Sequence, residues 1–361
     1  MSDLQRDPAE SRLGSGPRLP VGDVLRGVAI VSMLVAHAGP FLPDAAWLVH
    51  VVRDNLNDLA SPLFALVMGI SAQIVWNRGG SVGTTWARQA LRGAIIIALG
   101  MWMVTWGSWV AIVLQPLGLL LIVGVPMLLL GIRALTAVTL TLLLLSQPLL
   151  MLAREAMWIY TQPFLVRELA GWVALGSSYR LVNLLPFFLL GALLLRHGFK
   201  RDGVLWAMAA AAPLAYLAQP VSEKLLGVQG VQSGDYLDTL HDVGLVFAVY
   251  VVVVLLSTTE ASAVRRAWAA VSLPLRAWGQ LALTLYVLHV GLIALWARSN
   301  GMPTENTYLG WLLIVPGVAL VGWAWWRWVG TGPVEWVMGL VTGRPKKFWT
   351  AGDRATERAA V

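Results

Sequence analysis

Between Val21 and Trp328 the chain runs through about ten predominantly apolar stretches in succession, separated by short polar or basic segments. A helix crossing a bilayer needs about 20 such residues. Within lipid every backbone amide must be satisfied inside the segment, which leaves helices or closed barrels. The apolar runs are continuous rather than alternating, so helices are predicted. Composition agrees: 58% of the 361 residues are hydrophobic and 12% are charged, against about a quarter charged in soluble domains. The expected fold is all-α, a polytopic membrane bundle of about ten transmembrane helices.

The spans are placed at Val21 to Pro40, Asp58 to Trp76, Ala90 to Trp106, Ala111 to Gly131, Leu135 to Leu152, Leu181 to Arg196, Val204 to Gln219, Leu240 to Ser257, Ala277 to Trp296 and Leu309 to Trp328. Residues 1–20 form a polar segment with no signal-peptide core, so the first span is expected to direct insertion. Residues 21–328 make one membrane domain, and 329–361 a basic tail suited to anionic lipid. With the N-terminus inside, one set of loops holds Arg78, Arg88, Arg92, Arg133, Arg196, Lys200, Arg201, Arg265, Arg266 and Arg276. The other holds Arg53, Arg154, Arg167, Arg180, Lys224 and Arg298. The positive-inside rule then puts both termini in the cytoplasm and favours an even span count. The longer outer segments, Phe41 to Asn57, Ala153 to Arg180 and Pro220 to Thr239, are where sites are expected. Trp102, Trp106 and Trp109 mark an outer boundary, and Trp323, Trp325, Trp326 and Trp328 an inner one.

The net charge of +7 is dispersed in short clusters between spans, which points to lipid rather than nucleic acid. There are no cysteines, so disulfides, thiolate metal sites and a cysteine nucleophile are excluded. No GxSxG elbow, P-loop or HExxH stands in the chain, and no metal is expected.

Ionisable residues inside spans are candidates for function. In GDVLRGVAIVSMLVAHAGPF, Arg26 and His37 are separated by about 16 Å of helix axis. Arg26 has a plain alternative, pairing with Asp23 at i, i+3 and snorkelling to the edge; the short His37 side chain lacks that escape. His50 is followed by Asp54, Asn55, Asn57 and Asp58, a set that could orient an imidazole as base or simply be a solvated loop with Asp58 as helix cap. Arg88 and Arg92 share a helix face and could hold phosphates, although the positive-inside rule fills such loops without a ligand. His241 lies between Asp238 and Asp242. His289, near mid-span in GQLALTLYVLH, has the bland reading of a hydrogen bond to a neighbouring helix.

DVLRGVAIVSMLVAH, DLASPLFALVMGIS, GQLALTLYVLH and the late GTGPVEWVMGLVTG resemble the YeiB-like bacterial membrane proteins, whose last region carries a similar GP-acid-W signature. By resemblance these fall in a wider set of transmembrane acyltransferases that includes heparan-α-glucosaminide N-acetyltransferase and the OafA-like O-acyltransferases. The matching blocks lie at both ends of the chain; from about Ala134 to Pro274 only hydropathy matches. The OafA-like pattern has a basic residue, ten residues, then an essential histidine, which Arg26 and His37 fit. Its arginine pair is approximated by Arg88 and Arg92 with one extra residue between. The heparan enzyme has asparagine where His37 stands and a catalytic histidine in the loop before its DL-P-F-MG block, to which His50 is nearest. The resemblance therefore leaves His37 and His50 both open as the base.

The resemblance implies transfer of an acyl group, most simply acetyl, from cytosolic acyl-coenzyme A to a hydroxyl or amine of a glycan or glycolipid at the outer face of a bacterial plasma membrane. Arg26, Arg88 and Arg92 would meet the coenzyme. His37 or His50 would be the base, with Asp58 orienting it, by direct transfer or through an acyl-histidine. The first rival is a transporter or export subunit in which Arg26, His37 and His289 form a polar pathway. The second is a structural partner of an envelope synthase, docked through the basic tail. A homo-oligomer is compatible with each reading.

Overall fold

Apolar helices long enough to cross a bilayer dominate the structure, a computed structural model that describes residues 21–343 and 347–349. The polar segment 1–20 and the tail positions Arg344, Lys346 and 350–361 lie outside the described residues. In chain order the helices are α1 (Val21–His37), α2 (Trp47–Asn77), α3 (Val82–Val104), α4 (Leu114–Met127), α5 (Ile132–Glu155), α6 (Phe164–Ala170), α7 (Leu181–His197), α8 (Gly203–Leu225), α9 (Tyr236–Ser257), α10 (Ser262–Gln280), α11 (Ala282–Asn300), α12 (Tyr308–Leu312), α13 (Val318–Trp328) and α14 (Pro333–Val341). Among the described residues the sole extended pairing is an isolated bridge between Gly330 and Trp349.

Eight segments have the length and apolarity of a span: α1 through Phe41, α2, α3, α5, α8, α9, α11, and Tyr308–Trp328. The last is continuous through a π-helical turn at Leu313–Gly317 that contains Pro316, the kind of irregularity a proline introduces. The fourth and sixth expected spans correspond to the shorter apolar helices α4 and α7. At 1.5 Å per residue α4 is only about 21 Å long, below the hydrocarbon thickness.

The bundle is centred on α1 and α2, each with 61% of its apolar window buried, whereas α8 has 17%. Around that centre stand α7, α9, α10 and α11, with α3 and α5 further out. The outward faces of α5 and α8 carry Leu144, Leu152 and Leu214, exposed at 68%, 64% and 74%. In water such faces would aggregate; in a bilayer they are the solvated surface.

Close crossings fix the centre. A Cβ on Gly27 would lie 2.0 Å from the Leu275 carbonyl oxygen, and one on Gly279 would lie 2.1 Å from that of Asp23, so α1 and α10 meet backbone to backbone. Gly69 and Gly191 play the same part between α2 and α7, against the carbonyls of Phe188 and Leu66. Small residues at crossings are how helices associate where no hydrophobic force separates them from lipid.

The structure corrects several boundaries. α2 starts at Trp47, well before Asp58, so His50, Asp54, Asn55 and Asn57 lie on helix and Asp58 is no cap. Extending an existing helix costs little once it is nucleated, and Trp47 and Leu48 remain exposed on the projecting turns. The segment between the seventh and eighth expected spans shrinks, because α8 runs to Leu225 and α9 starts at Tyr236. The ninth span starts at Ala282, not Ala277. The segment before it is the separate helix α10, on which Arg265 and Arg266 are exposed while Ala277 and Gly279 are buried. After Trp328 the chain does not go straight into a tail: Pro333 opens α14 at its first helical position, where a missing N–H costs nothing.

Candidate active site

His37 is the last residue of α1, and His289 lies in the second turn of α11 with no exposure. Their rings stack at 13° with centroids 5.2 Å apart, and His37 Nδ1 is 2.9 Å from His289 Nε2. His289 Nδ1 is 3.1 Å from the Leu285 carbonyl oxygen. A carbonyl only accepts, so His289 carries its hydrogen on Nδ1 and, in the neutral pair, presents a lone pair at Nε2. His37 must then donate from Nδ1. That leaves His37 Nε2 as the one ring nitrogen with a free lone pair. A backbone carbonyl and a second imidazole thus fix the tautomer of a histidine, which is how a base is oriented.

The surroundings hold His37 in place. Trp109 Nε1 donates to the His37 carbonyl at 3.1 Å. Phe41 packs edge-on to Trp109 and Trp296, with centroids 5.3 and 5.1 Å away. Trp109 thus holds the end of α1 that carries His37. Tyr286 meets the His289 ring edge-on, and its hydroxyl accepts from the Val113 N–H at 3.2 Å.

His37 lines a small cavity with Asn57, Ser61, Phe64, Val113 and Tyr179. Asn57 and Ser61 are one helical turn apart on α2, and Pro62 beside them deprives the Asp58 carbonyl of its i+4 donor. Tyr179 comes from the segment before α7. Burial pushes its phenol up to about 12, with the Asp58 carboxylate adding to the shift, so near neutrality it is an O–H donor. Next to it Arg180, 5% exposed, donates to the carbonyls of Gly176, Ser177 and Ser233 and ties that segment to the α8–α9 connection. Burial and the Arg154 charge lower its guanidinium.

The other sequence candidates are dispersed. Asp54 pairs with Arg53 at 2.8 Å. Asp58 accepts from Asn57 Nδ2 at 3.1 Å and lies 3.8 Å from His241 Nε2. Asp58 therefore faces His241, not His37 or His50, and the expectation that it orients the base is not met. The His241 ring also packs on Tyr216 at 4.7 Å, and Asp238 accepts from the Gly234 N–H. His50 is half-buried on the first turns of α2, and among the described residues its imidazole makes no hydrogen bond or ion pair; its backbone N–H bonds the Ala46 carbonyl. Arg26 makes the Asp23 pair of the plain alternative at 3.1 Å, and also donates to the Gly279 carbonyl at 3.2 Å and Ser71 Oγ at 2.6 Å, tying α1 to α10 and α2. It does not line the His37 cavity. Arg88 and Arg92 are exposed on α3. No group of three or more metal-ligating side chains occurs among the described residues.

Residues 18–202, just over half of the chain, match the family model described as heparan-alpha-glucosaminide N-acetyltransferase, catalytic. The chain belongs to the heparan-alpha-glucosaminide N-acetyltransferase catalytic family. No curated protein matches it. The family is one of membrane acetyltransferases, and the match spans α1 to the end of α7, which contribute His37, Asn57, Ser61 and Tyr179. His289 comes from beyond the matched region. Sequence reasoning passed over Ser61, although DLASP contains it, and Tyr179, which nothing distinguishes within the long segment before α7. It also passed over Glu335, although the GP-acid-W string contains it.

Proposed function

We propose that the protein is a membrane acyltransferase that moves an acyl group, most simply acetyl, from acyl-coenzyme A to a hydroxyl or amine of a glycan or glycolipid. The observation that carries this reading is the tautomer-fixed His37, with its free Nε2 beside a cavity at one end of the bundle. His37 Nε2 accepts the acceptor's proton as the acceptor oxygen or nitrogen attacks the thioester carbonyl. The carbon–sulfur bond then breaks, and the thiolate takes the proton from His37, so the base is regenerated. Asn57, Ser61 and the Tyr179 hydroxyl are placed to hydrogen-bond the acceptor or the carbonyl oxygen on which charge develops.

The bundle is oriented by its basic loops. We assign ten spans, with α4 and α7 as the short pair, both termini in the cytoplasm and the His37 end outside, as in a YeiB-like protein of a bacterial plasma membrane. The coenzyme phosphates would meet Arg88 and Arg92 on the inner side, where both guanidinium groups are exposed at i, i+4. Arg26 is already committed to Asp23, Ser71 and Gly279. The same fact weighs against a transport pathway through Arg26, His37 and His289, because Arg26 is withdrawn from that line.

The test is transfer of radiolabelled acetyl from acetyl-coenzyme A to glucosaminide and polyol acceptors by the purified protein in proteoliposomes. Label in the acceptor, absent when protein is omitted, supports the reading. Uptake of label without covalent transfer contradicts it.

A further inference from the structure

The signature Gly332-Pro333-Val334-Glu335-Trp336 is absent from the chemistry above, yet it reaches the helix that carries His289. α11 opens after a sharp break at Leu281, whose side chain provides no cap. The first N–H groups of a helix need acceptors. Here they find Glu335 of α14: its Oε1 accepts from the N–H groups of Leu283 at 2.7 Å and Thr284 at 3.0 Å, and its Oε2 accepts from the Thr284 hydroxyl. Thr284 Oγ1 in turn accepts from the Val334 N–H at 3.3 Å, closing a ring between the two helices. A carboxylate at this position also complements the helix dipole. Gly332 makes the fit possible, since a Cβ there would stand 2.0 Å from Glu335 Oε2 and 2.5 Å from Thr284 Oγ1.

Thr284 is five residues from His289, about 7.5 Å along the axis. Within that distance a helix transmits rotation and translation of its first turn almost rigidly. A displacement of a few tenths of an ångström at Thr284 therefore reaches the 2.9 Å bond between His289 and His37.

We infer that Glu335 is a positioning residue for the histidine pair: by capping α11 from α14 it sets where His289 Nε2 stands relative to His37 Nδ1. The inference rests on reading His37 as the base, but its test does not need the reaction. The chain has five histidines, so histidine labelled with nitrogen-15 gives few enough ring signals to assign by single substitution in nanodiscs. The wild type should show protonated Nδ1 on both rings and a scalar coupling across the bond from His37 Nδ1 to His289 Nε2.

Glu335→Ala should abolish that coupling and mix the tautomers. Glu335→Gln should restore both, because its amide oxygen accepts the same two N–H groups and its NH2 donates to Thr284 Oγ1. A lowered Tm in Glu335→Ala with the pair's signals unchanged would overturn the inference and leave an ordinary helix cap. Should Glu335→Ala not fold, Gly332→Ala decides: loss of the coupling there, with Glu335→Gln intact, supports the inference, and wild-type signals in Gly332→Ala overturn it. Absence of acyl transfer with this dependence intact would count against the proposed reaction alone.

Discussion

His37 Nδ1 and His289 Nε2 meet at 2.9 Å although 252 residues separate them in the chain. Because the Leu285 carbonyl dictates the hydrogen on His289 Nδ1, the pair is directional: His289 accepts and His37 is left with a lone pair at Nε2. That polarity distinguishes an oriented base from two packed rings. His289→Ala should therefore lower kcat by at least tenfold while leaving KM for the acyl donor near the wild-type value. An equal rise in KM with kcat unchanged would mark His289 as a binding residue instead.

Arg26 and the Arg88–Arg92 pair should separate cleanly. Arg26→Ala breaks bonds from α1 to α10 and α2 and should cost about 1–2 kcal/mol of stability, read as a lower Tm in detergent. The stabilisation given by acetyl-coenzyme A should persist. In the Arg88→Ala, Arg92→Ala double variant the ligand-induced shift should be reduced or lost.

The backbone crossing of α1 and α10 leaves no room for a side chain at Gly27. Gly27→Leu should force the helices apart, cost at least the 1–3 kcal/mol typical of overpacking, and abolish activity through loss of fold. Size-exclusion profile and thermal melting report this directly.

The Tyr179 phenol, held at about 12 by burial and by Asp58, gives a signed pH dependence. The folded state keeps its proton where the unfolded state, near pH 10, loses it. Stability is therefore unaffected below pH 10 and should fall as pH rises from about 10 to about 12. Tyr179→Phe should flatten that window in melts run against pH; an identical slope in the variant would place the titration on another group.

The helical membrane fold was legible because lipid imposes a length and an apolarity that every span must show in sequence. α10 was not, since Ser262–Gln280 mixes arginine with tryptophan, alanine and leucine and merges with the following span at Leu281. On α1, Arg26 and His37 were visible as ionisable residues in an apolar run, and their different fates follow from neighbours: Arg26 finds Asp23 three residues away, whereas His37 finds its partner on α11. Spacing along one helix carries no information about a contact across 252 residues, so the sequence offered His289 a hydrogen bond to a neighbouring helix without naming His37 as the partner. The acidic run after His50 was misleading for a related reason. As a loop it could fold around an imidazole, but on α2 it distributes Asp54 to Arg53 and Asp58 to His241.

The most direct test compares His37→Ala with His50→Ala in the same acetyl-transfer assay, with both variants first shown to melt like the wild type. Loss of the base should lower the rate by about 10²–10⁴-fold in His37→Ala, and His50→Ala should stay within a few-fold of the wild type. Full activity in His37→Ala, or the loss falling on His50→Ala instead, would contradict the assignment of the base to the His37–His289 pair.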